Sequence, residues 1–169
     1  MTCDKGTRID AGSLFAIILV AGIGVDLVGL YVFKSSNLRF ATWQADSSLS
    51  LLCITTGALL LVAGCILGYL AHEMFHHAIS EDGQIDELLT QGVYTRVRHP
   101  FYLGLSLIGL SLVGFFRSYS LLGVWLILTV WLYIAARREE EHLLRKFGAV
   151  YGDYKRQAGM FLPHFWRRG

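Results

Sequence analysis

Charged side chains are scarce in this sequence and unevenly placed. They make up 17% of the 169 residues, whereas typical soluble domains carry about 25%. Four stretches contain almost none of them and the charges crowd between these stretches, as is typical of membrane proteins. The net charge is only +2, so nothing indicates a nucleic-acid-binding surface.

Cysteine and proline are also rare. Three cysteines are too few for a disulfide framework, and Cys53 and Cys65 would lie about 18 Å apart along one helix. We interpret these two as small buried apolar side chains. Proline occurs only at positions 100 and 163, so each proline marks a local change in structure.

Long apolar runs, in contrast, are abundant. They predict an all-α membrane protein with about four transmembrane helices in a single domain, residues 1–169. The spans cover about residues 13–33, 49–71, 101–116 and 121–136. The last two, of 16 residues each, form a short hairpin across residues 117–120. The first two runs exceed 20 residues, which disfavours a soluble protein with two buried helical hairpins. The first run is also longer than the apolar region of a cleaved signal peptide, and no clear cleavage site follows it.

The distribution of lysine and arginine predicts the orientation. Twelve of the 15 fall in the two terminal segments and the middle loop, which four spans would place on one side. Positively charged loops face the cytoplasm, so both termini are expected there. Beyond the fourth span, an amphipathic helix is predicted over about residues 137–156. Its apolar face comprises Leu143, Phe147, Val150, Tyr151 and Tyr154.

The first candidate site lies where the middle loop meets the third span. Pro100 suits the first turn of a helix, which places His99 at or next to the N-cap. The free N–H groups of that helix would face an anion, and Arg98 could bind a carboxylate or phosphate through two hydrogen bonds. Tyr94 and Tyr102 add flat rings with polar tips. A positively charged end of a span with interfacial tyrosines would look similar.

The second candidate site is the run from Arg137 to His142, at the end of the fourth span. Its adjacent carboxylates, Glu139 to Glu141, repel one another unless cations lie near. Arg137, Arg138 and Arg98 are the candidate cations. A solvated charge run that ends a span is the alternative.

Together the two sites resemble the signature of the isoprenylcysteine carboxyl methyltransferase family, membrane enzymes related to phospholipid methyltransferases. The resemblance covers about residues 83–165, and Ala158 departs from it, since the family usually has Val there. Its first half is Gly92-x-Tyr94-x-x-x-Arg98-His99-Pro100-x-Tyr102-x-Gly104. Its second half is Arg138-Glu139-Glu140-x-x-Leu143-x-x-x-Phe147-Gly148-x-x-Tyr151-x-x-Tyr154, followed by Pro163.

The resemblance implies S-adenosylmethionine as the methyl donor, bound on the cytoplasmic side, and an acceptor that is lipid-like or prenylated. It also implies that Arg98 and Glu140 flank the reacting groups as catalytic residues. The cofactor pocket would comprise Tyr94, His99, Pro100, Tyr102 and Glu139, with no metal. Isoprenylcysteine carboxylate is the preferred acceptor, while a phospholipid amine and a small thiol stay open, as does the oligomeric state.

The chemistry agrees with these residue types. A carboxylate acceptor is already ionised and needs no general base, so the enzyme mainly aligns the donor and the acceptor. Arg98 could hold the acceptor carboxylate, and Glu140 or Glu139 could face the positive sulfonium or the amino group of the donor. An amine or thiol acceptor must lose a proton, which would require a Glu or His base.

A competing pattern is His72-Glu73-x-x-His76, which predicts a membrane zinc protease as the alternative function. No second motif supplies a third zinc ligand, and six histidines in all are too few for a histidine-box diiron enzyme. A non-catalytic scaffold or small transporter would show neither half of the methyltransferase signature. Asp26, inside the first span, is a functional or structural candidate, and the glycines of the first two spans indicate close helix packing.

Overall fold

A computed structural model describes residues 11–32, 46–78 and 88–163. In these ranges the chain is mostly helical, and an isolated parallel bridge pairs Val97 with Gly159. The elements are α1 (Ala11–Val32), α2 (Ser47–Ala78), a 3-10 turn (Gly92–Thr95), α3 (Pro100–Phe116), α4 (Tyr119–Phe147) and α5 (Ala149–Gln157). Residues 1–10, 33–45, 79–87 and 164–169 lie outside the described part of the chain.

The α3–α4 hairpin closes more tightly than predicted. Pro100 is the first residue of α3, as expected, but only Arg117 and Ser118 separate the two helices. Arg117 adopts the left-handed conformation and donates its backbone N–H to Val113. Ser118 caps α4 by accepting a hydrogen bond from the Leu121 N–H. These two caps satisfy backbone groups that the helix ends would otherwise leave unpaired.

Helix α4 is continuous through residue 136, near which the fourth span was predicted to end and the amphipathic helix to begin. Residues 137–147 are mostly good helix formers without Gly or Pro, so α4 continues to Phe147. The break comes at Gly148, with φ of 56°. Because the helix breaks there, Val150 leaves the predicted apolar face and is 65% exposed. The other members of that face pack in one cluster: Leu143, Phe147, Tyr151 and Tyr154.

Glycines allow α2 and α3 to pack backbone against backbone. A Cβ atom added to Gly64 would lie 2.8 Å from the carbonyl oxygen of Gly104, and one added to Gly104 would lie 2.9 Å from that of Gly64. Gly57 and Gly114 extend the same seam. The predicted packing role holds for Gly57 and Gly64, which are two of the three glycines of the second span.

Besides α2, helix α3 packs against α1 and α4. Phe15 and Leu19 of α1 form a buried core with Leu128 and Leu132 of α4, and Leu105 and Leu112 of α3 pack against it. Only the first part of α1 contributes described side chains, so Asp26 lies outside them.

Much of the apolar surface of α2 and α4 is exposed. By length and composition these two helices could cross a membrane, over Ser47–Phe75 and Tyr119–Phe147. Only 11% of the residues are buried in the most apolar stretch of α2, and 22% in that of α4. The core helices of a soluble protein are mostly buried. Cys65 lies on this exposed surface and Cys53 is half-buried, so their interpretation as buried side chains was wrong.

The glycine seam generates a prediction about stability. Gly64→Ala is expected to destabilise the protein by about 1–3 kcal/mol, because the methyl group would force two backbones apart. Gly68→Ala is the matched control, since an added Cβ there meets nothing within 4 Å. It should be neutral or stabilising by up to about 1 kcal/mol, the usual difference in helix propensity. Thermal unfolding in detergent micelles measures both; equal transition temperatures would contradict the packing role of Gly64.

Candidate active site

A buried ion pair joins the start of α3 to the polar end of α4. Arg98 Nε donates a hydrogen bond of 2.8 Å to Glu140 Oε1, and Arg98 Nη2 lies 2.7 Å from the same oxygen. The two side chains are 9% and 2% exposed. The uninterrupted course of α4 carries Glu140 to this position, 42 residues from its partner in sequence.

Arg98 also binds the segment that follows α5. Its Nη1 donates to the carbonyl oxygens of Lys155, at 3.1 Å, and Ala158. The guanidinium therefore connects α3, α4 and the C-terminal region of the described chain. Its predicted role in holding an acceptor carboxylate stays a prediction, and in this structure the group is directed at Glu140 and two carbonyls.

Lys155 supplies a second cation to Glu140. Its Nζ lies 2.7 Å from Glu140 Oε2, as an ion pair without hydrogen-bond geometry. Of the cations predicted to balance the carboxylates, Arg98 is in place, whereas Arg137 and Arg138 are exposed. Lys155 was missed because helical periodicity assigns it to the polar face of the amphipathic helix.

His99 lies buried between two carboxylates. Its Nδ1 is 3.5 Å from Glu139 Oε2 and its Nε2 is 3.6 Å from Glu140 Oε1. Burial alone would lower the pKa of His99, but hydrogen bonding and charge from Glu139 and Glu140 outweigh it and raise the pKa. Tyr102 stacks on the imidazole, with ring centroids 5.7 Å apart and planes within 5°. The site therefore favours an imidazolium.

The segment after α5 covers the start of α3. The N–H of Arg98 donates to Gly159 at 2.8 Å, and the N–H of His99 donates to Met160 at 3.1 Å. The Gly159 N–H returns a hydrogen bond of 3.0 Å to Arg96. His99 is the N-cap, as predicted, and the backbone N–H groups of Arg98 and His99 are engaged by the segment that follows α5. The expectation that the first N–H groups of α3 itself face an anion stays a prediction.

Tyr94 anchors the 3-10 turn. Its hydroxyl donates to the carbonyl of Ala71 at 3.3 Å, and its carbonyl accepts a hydrogen bond of 2.7 Å from the Tyr154 hydroxyl. Gly92 begins this turn with φ of 56°, and an added Cβ would lie 2.7 Å from Met74 Sδ. Gly92 and, through the α2–α3 seam, Gly104 thus serve the architecture. A direct cofactor contact of Tyr94 stays a prediction.

The structure brings most of the predicted site residues into one cluster: Arg98, His99, Tyr102, Glu139 and Glu140, with buried Pro100 behind them. Three side-chain polar atoms here are buried without a hydrogen-bond partner among the described residues: His99 Nε2, Glu140 Oε2 and the Tyr151 hydroxyl oxygen. Glu140 Oε2 has its ion pair with Lys155. Buried polar atoms are nearly always satisfied, so the other two indicate a missing polar partner. Tyr151 belongs to the signature, but its residue type and position predicted no role for it.

The zinc-protease alternative gains no support. His72 and Glu73 are exposed, and the side chain of His76 lies outside the described residues. Within the part of the chain that is described, no three His, Cys, Asp or Glu side chains lie close enough to share a metal.

The fold and site together define a helical membrane protein with a buried charged cluster at one end of its bundle. The profile of the phospholipid methyltransferase family matches residues 52–150, more than half of the chain. The chain belongs to this family, among its isoprenylcysteine methyltransferase-like members.

The chain is similar in sequence to methyltransferases of two differently named kinds. Protein-S-isoprenylcysteine O-methyltransferase of Mus musculus is 33% identical over 75% of this chain and 44% of the relative. The Homo sapiens protein of the same name is 28% identical over 89% and 55%. Methanethiol S-methyltransferase of Pseudomonas deceptionensis is 27% identical over 88% and 58%. The chain thus spans about half the length of these relatives.

The buried ion pair predicts a large effect of Arg98→Ala. Removing this cation leaves the 2%-exposed carboxylate of Glu140 with Lys155 and the more distant His99, and about 3–5 kcal/mol of stability should be lost. Arg156→Ala is the matched control, because its pair with Asp153 is exposed and should contribute about 0–1 kcal/mol. Unfolding in detergent by heat or denaturant measures both. Equal losses would show that Arg98 is not a structural clamp.

The raised pKa of His99 predicts a pH-dependent stability. Its contribution should be complete below about pH 6.5, the pKa of an unfolded histidine, and should disappear as pH rises through the higher folded-state value. The difference in unfolding free energy between wild type and His99→Gln should therefore decrease from pH 6 to pH 9. The exposed His142→Gln variant controls for loss of an imidazole as such. A difference for His99→Gln that does not change with pH would contradict the interpretation.

Proposed function

We propose that the chain is an S-adenosylmethionine-dependent methyltransferase acting at the cytoplasmic membrane face on a lipid-like or membrane-delivered acceptor. The preferred acceptor is a carboxylate such as that of isoprenylcysteine. The protein forms one domain over residues 1–169 with four membrane spans and both termini in the cytoplasm. The length of α2 and α4, their exposed apolar surfaces and the distribution of Lys and Arg support this topology.

The observation that carries the proposal is the meeting of the two signature halves. Arg98 and His99 from the first half lie against Glu140 and Glu139 from the second, in one cluster in which Arg98, His99 and Glu140 are buried. Burying these polar and charged side chains costs desolvation, and apolar packing would stabilise the fold as well or better. A cluster of this kind is typical of functional sites.

The residues present fit the methyl donor. Its methionine part carries a carboxylate and an ammonium, and its adenine needs flat apolar contact. Buried His99 Nε2 and the Tyr151 hydroxyl lack partners, Glu139 presents a 43%-exposed carboxylate, and the stacked rings of His99 and Tyr102 offer flat surfaces. His99, Tyr102 and Glu139 would hold the donor, with Pro100 fixing the start of α3 and Tyr94 the loop before it.

The donor, when bound, supplies a methyl group on a positive sulfonium, open to in-line attack. The chain's own residues have to orient the reactants and exclude water. Glu139 and Glu140 make the site favourable to positive charge, while Arg98 fixes Glu140 and marks the side where an acceptor carboxylate would approach. Such positioning can contribute about 7–11 kcal/mol to lowering a barrier.

The state of His99 favours a carboxylate over a thiol or an amine. Those two acceptors must lose a proton, whereas the raised pKa of His99 beside Glu139 and Glu140 favours the protonated imidazole, which cannot accept one. A thiol acceptor is the second candidate, because two similar proteins are named methanethiol S-methyltransferases. The family name keeps a phospholipid amine as the third.

Donor binding is tested by calorimetric titration of detergent-purified protein with S-adenosylhomocysteine. We expect saturable one-to-one binding, weakened about tenfold or more by Glu139→Gln, which corresponds to about 1.4 kcal/mol. Glu141→Gln, an exposed carboxylate two positions further along α4, is the matched control. Absence of binding to folded, monodisperse wild-type protein would overturn the proposal.

The acceptor is tested by incubation with labelled methyl donor and three substrates: an S-farnesylcysteine derivative, methanethiol and phosphatidylethanolamine. A carboxylate acceptor gives a base-labile methyl ester, which releases methanol in alkali. A thioether or a methylated amine is stable to the same treatment. Label in a base-stable product alone would reject the carboxylate assignment and leave the methyltransferase proposal standing.

A further inference from the structure

Tyr151 has a hydroxyl that the fold does not use. The residue is 1% exposed, and its oxygen is buried without a hydrogen-bond partner among the described residues. Its ring packs in an apolar cluster with Tyr154, Leu143 and Phe147, where phenylalanine would serve equally well. A buried tyrosine hydroxyl usually finds a partner, so the partner is expected to be a bound molecule.

Tyr154, three positions away, shows the contrast. Its hydroxyl donates to the Tyr94 carbonyl at 2.7 Å and so ties α5 to the 3-10 turn. The two rings lie 6.0 Å apart in the same cluster, yet only one hydroxyl has a structural task. Helix packing therefore accounts for Tyr154 and not for the hydroxyl of Tyr151.

The surroundings of the Tyr151 hydroxyl indicate what it would bind. Glu140 and Arg98 lie close enough for their charges to act on it, and Arg98 also makes a weak contact with its oxygen, outside normal hydrogen-bond geometry. Because a guanidinium can only donate, this contact does not use the hydroxyl proton. Burial raises the pKa of Tyr151 to about 12, so the group stays a phenol and keeps a proton to donate. Glu140 already accepts two contacts from Arg98 and one from Lys155.

The donor groups of the cluster indicate the same kind of ligand. Arg98 and Lys155 both pair with Glu140, and the raised pKa of His99 favours the form in which its Nε2 is a donor. His99 Nε2, 3.6 Å from Glu140 Oε1, and the Tyr151 hydroxyl both lack a hydrogen-bond partner among the described residues. Two such donors beside a guanidinium group are complementary to a carboxylate.

We propose that Tyr151 is a positioning residue whose hydroxyl donates a hydrogen bond to a ligand carboxylate bound beside the Arg98–Glu140 pair. The inference rests on the proposed function and adds a residue to its site. Two reactants bring a carboxylate: the methyl donor, through its amino-acid part, and an acceptor of the isoprenylcysteine kind. The chemistry is the same for both, and the experiment distinguishes them.

The test compares Tyr151→Phe with Tyr154→Phe. Tyr151→Phe should leave the thermal transition unchanged or slightly raised, because it removes an unpaired buried hydroxyl. It should weaken binding of the ligand that carries the carboxylate by about ten- to hundredfold, as expected for a hydrogen bond to a charged group. Tyr154→Phe should lower the transition temperature, because it leaves the Tyr94 carbonyl unpaired.

The source of the carboxylate follows from two measurements. Weaker binding of S-adenosylhomocysteine, with unchanged binding of 5′-methylthioadenosine, which lacks the amino-acid part, assigns the contact to the donor. Unchanged S-adenosylhomocysteine binding with a raised KM for S-farnesylcysteine assigns it to the acceptor.

Other outcomes overturn the inference. If Tyr151→Phe lowers stability as much as Tyr154→Phe and changes neither binding nor KM, the hydroxyl has a structural partner such as a buried water. If wild-type protein binds S-adenosylhomocysteine and Tyr151→Phe matches it in every measurement, the inference fails and the proposed function stands. Lack of binding by the wild type would instead reject the proposed function.

Discussion

The burial of the Glu140 carboxylate determines how the candidate active site is assembled. A charge that is 2% exposed cannot stay unpaired, so Glu140 requires Arg98 on one oxygen and Lys155 on the other. These three residues come from the start of α3, the end of α4 and α5. Satisfying a single charge therefore fixes how three separate parts of the chain meet.

Other features of the site follow from this constraint. Arg98 can reach Glu140 only while α4 stays helical past the apolar stretch, and it does so until Gly148. Lys155 can reach it only because the turn at Gly148 brings α5 back towards α3. His99 then lies between Glu139 and Glu140, and these carboxylates raise its pKa because they favour a positive charge beside them.

Sequence patterns predicted the apolar helices well and the polar connections less well. Pro100 located the start of α3, and the glycines of the second span indicated the α2–α3 seam, because each reports a local steric requirement. Composition did not show where α4 ends, because a change in composition at residue 137 does not break a helix, whereas a positive φ at Gly148 does. The signature singled out Arg98 and Glu140 as site residues. Helical periodicity could not show that the Lys155 side chain reaches Glu140, nor that residues 158–160 cover the start of α3.

The pairing of Arg98 and His99 with Gly159 and Met160 sets an order of assembly. When the ribosome has completed the α3–α4 hairpin, neither the second cation for Glu140 nor the carbonyl groups for Arg98 have yet been made. The charged cluster can be completed only when residues 155–160 are present. The site therefore forms no earlier than the synthesis of these residues, whereas the contacts between α3 and α4 need nothing beyond the hairpin itself.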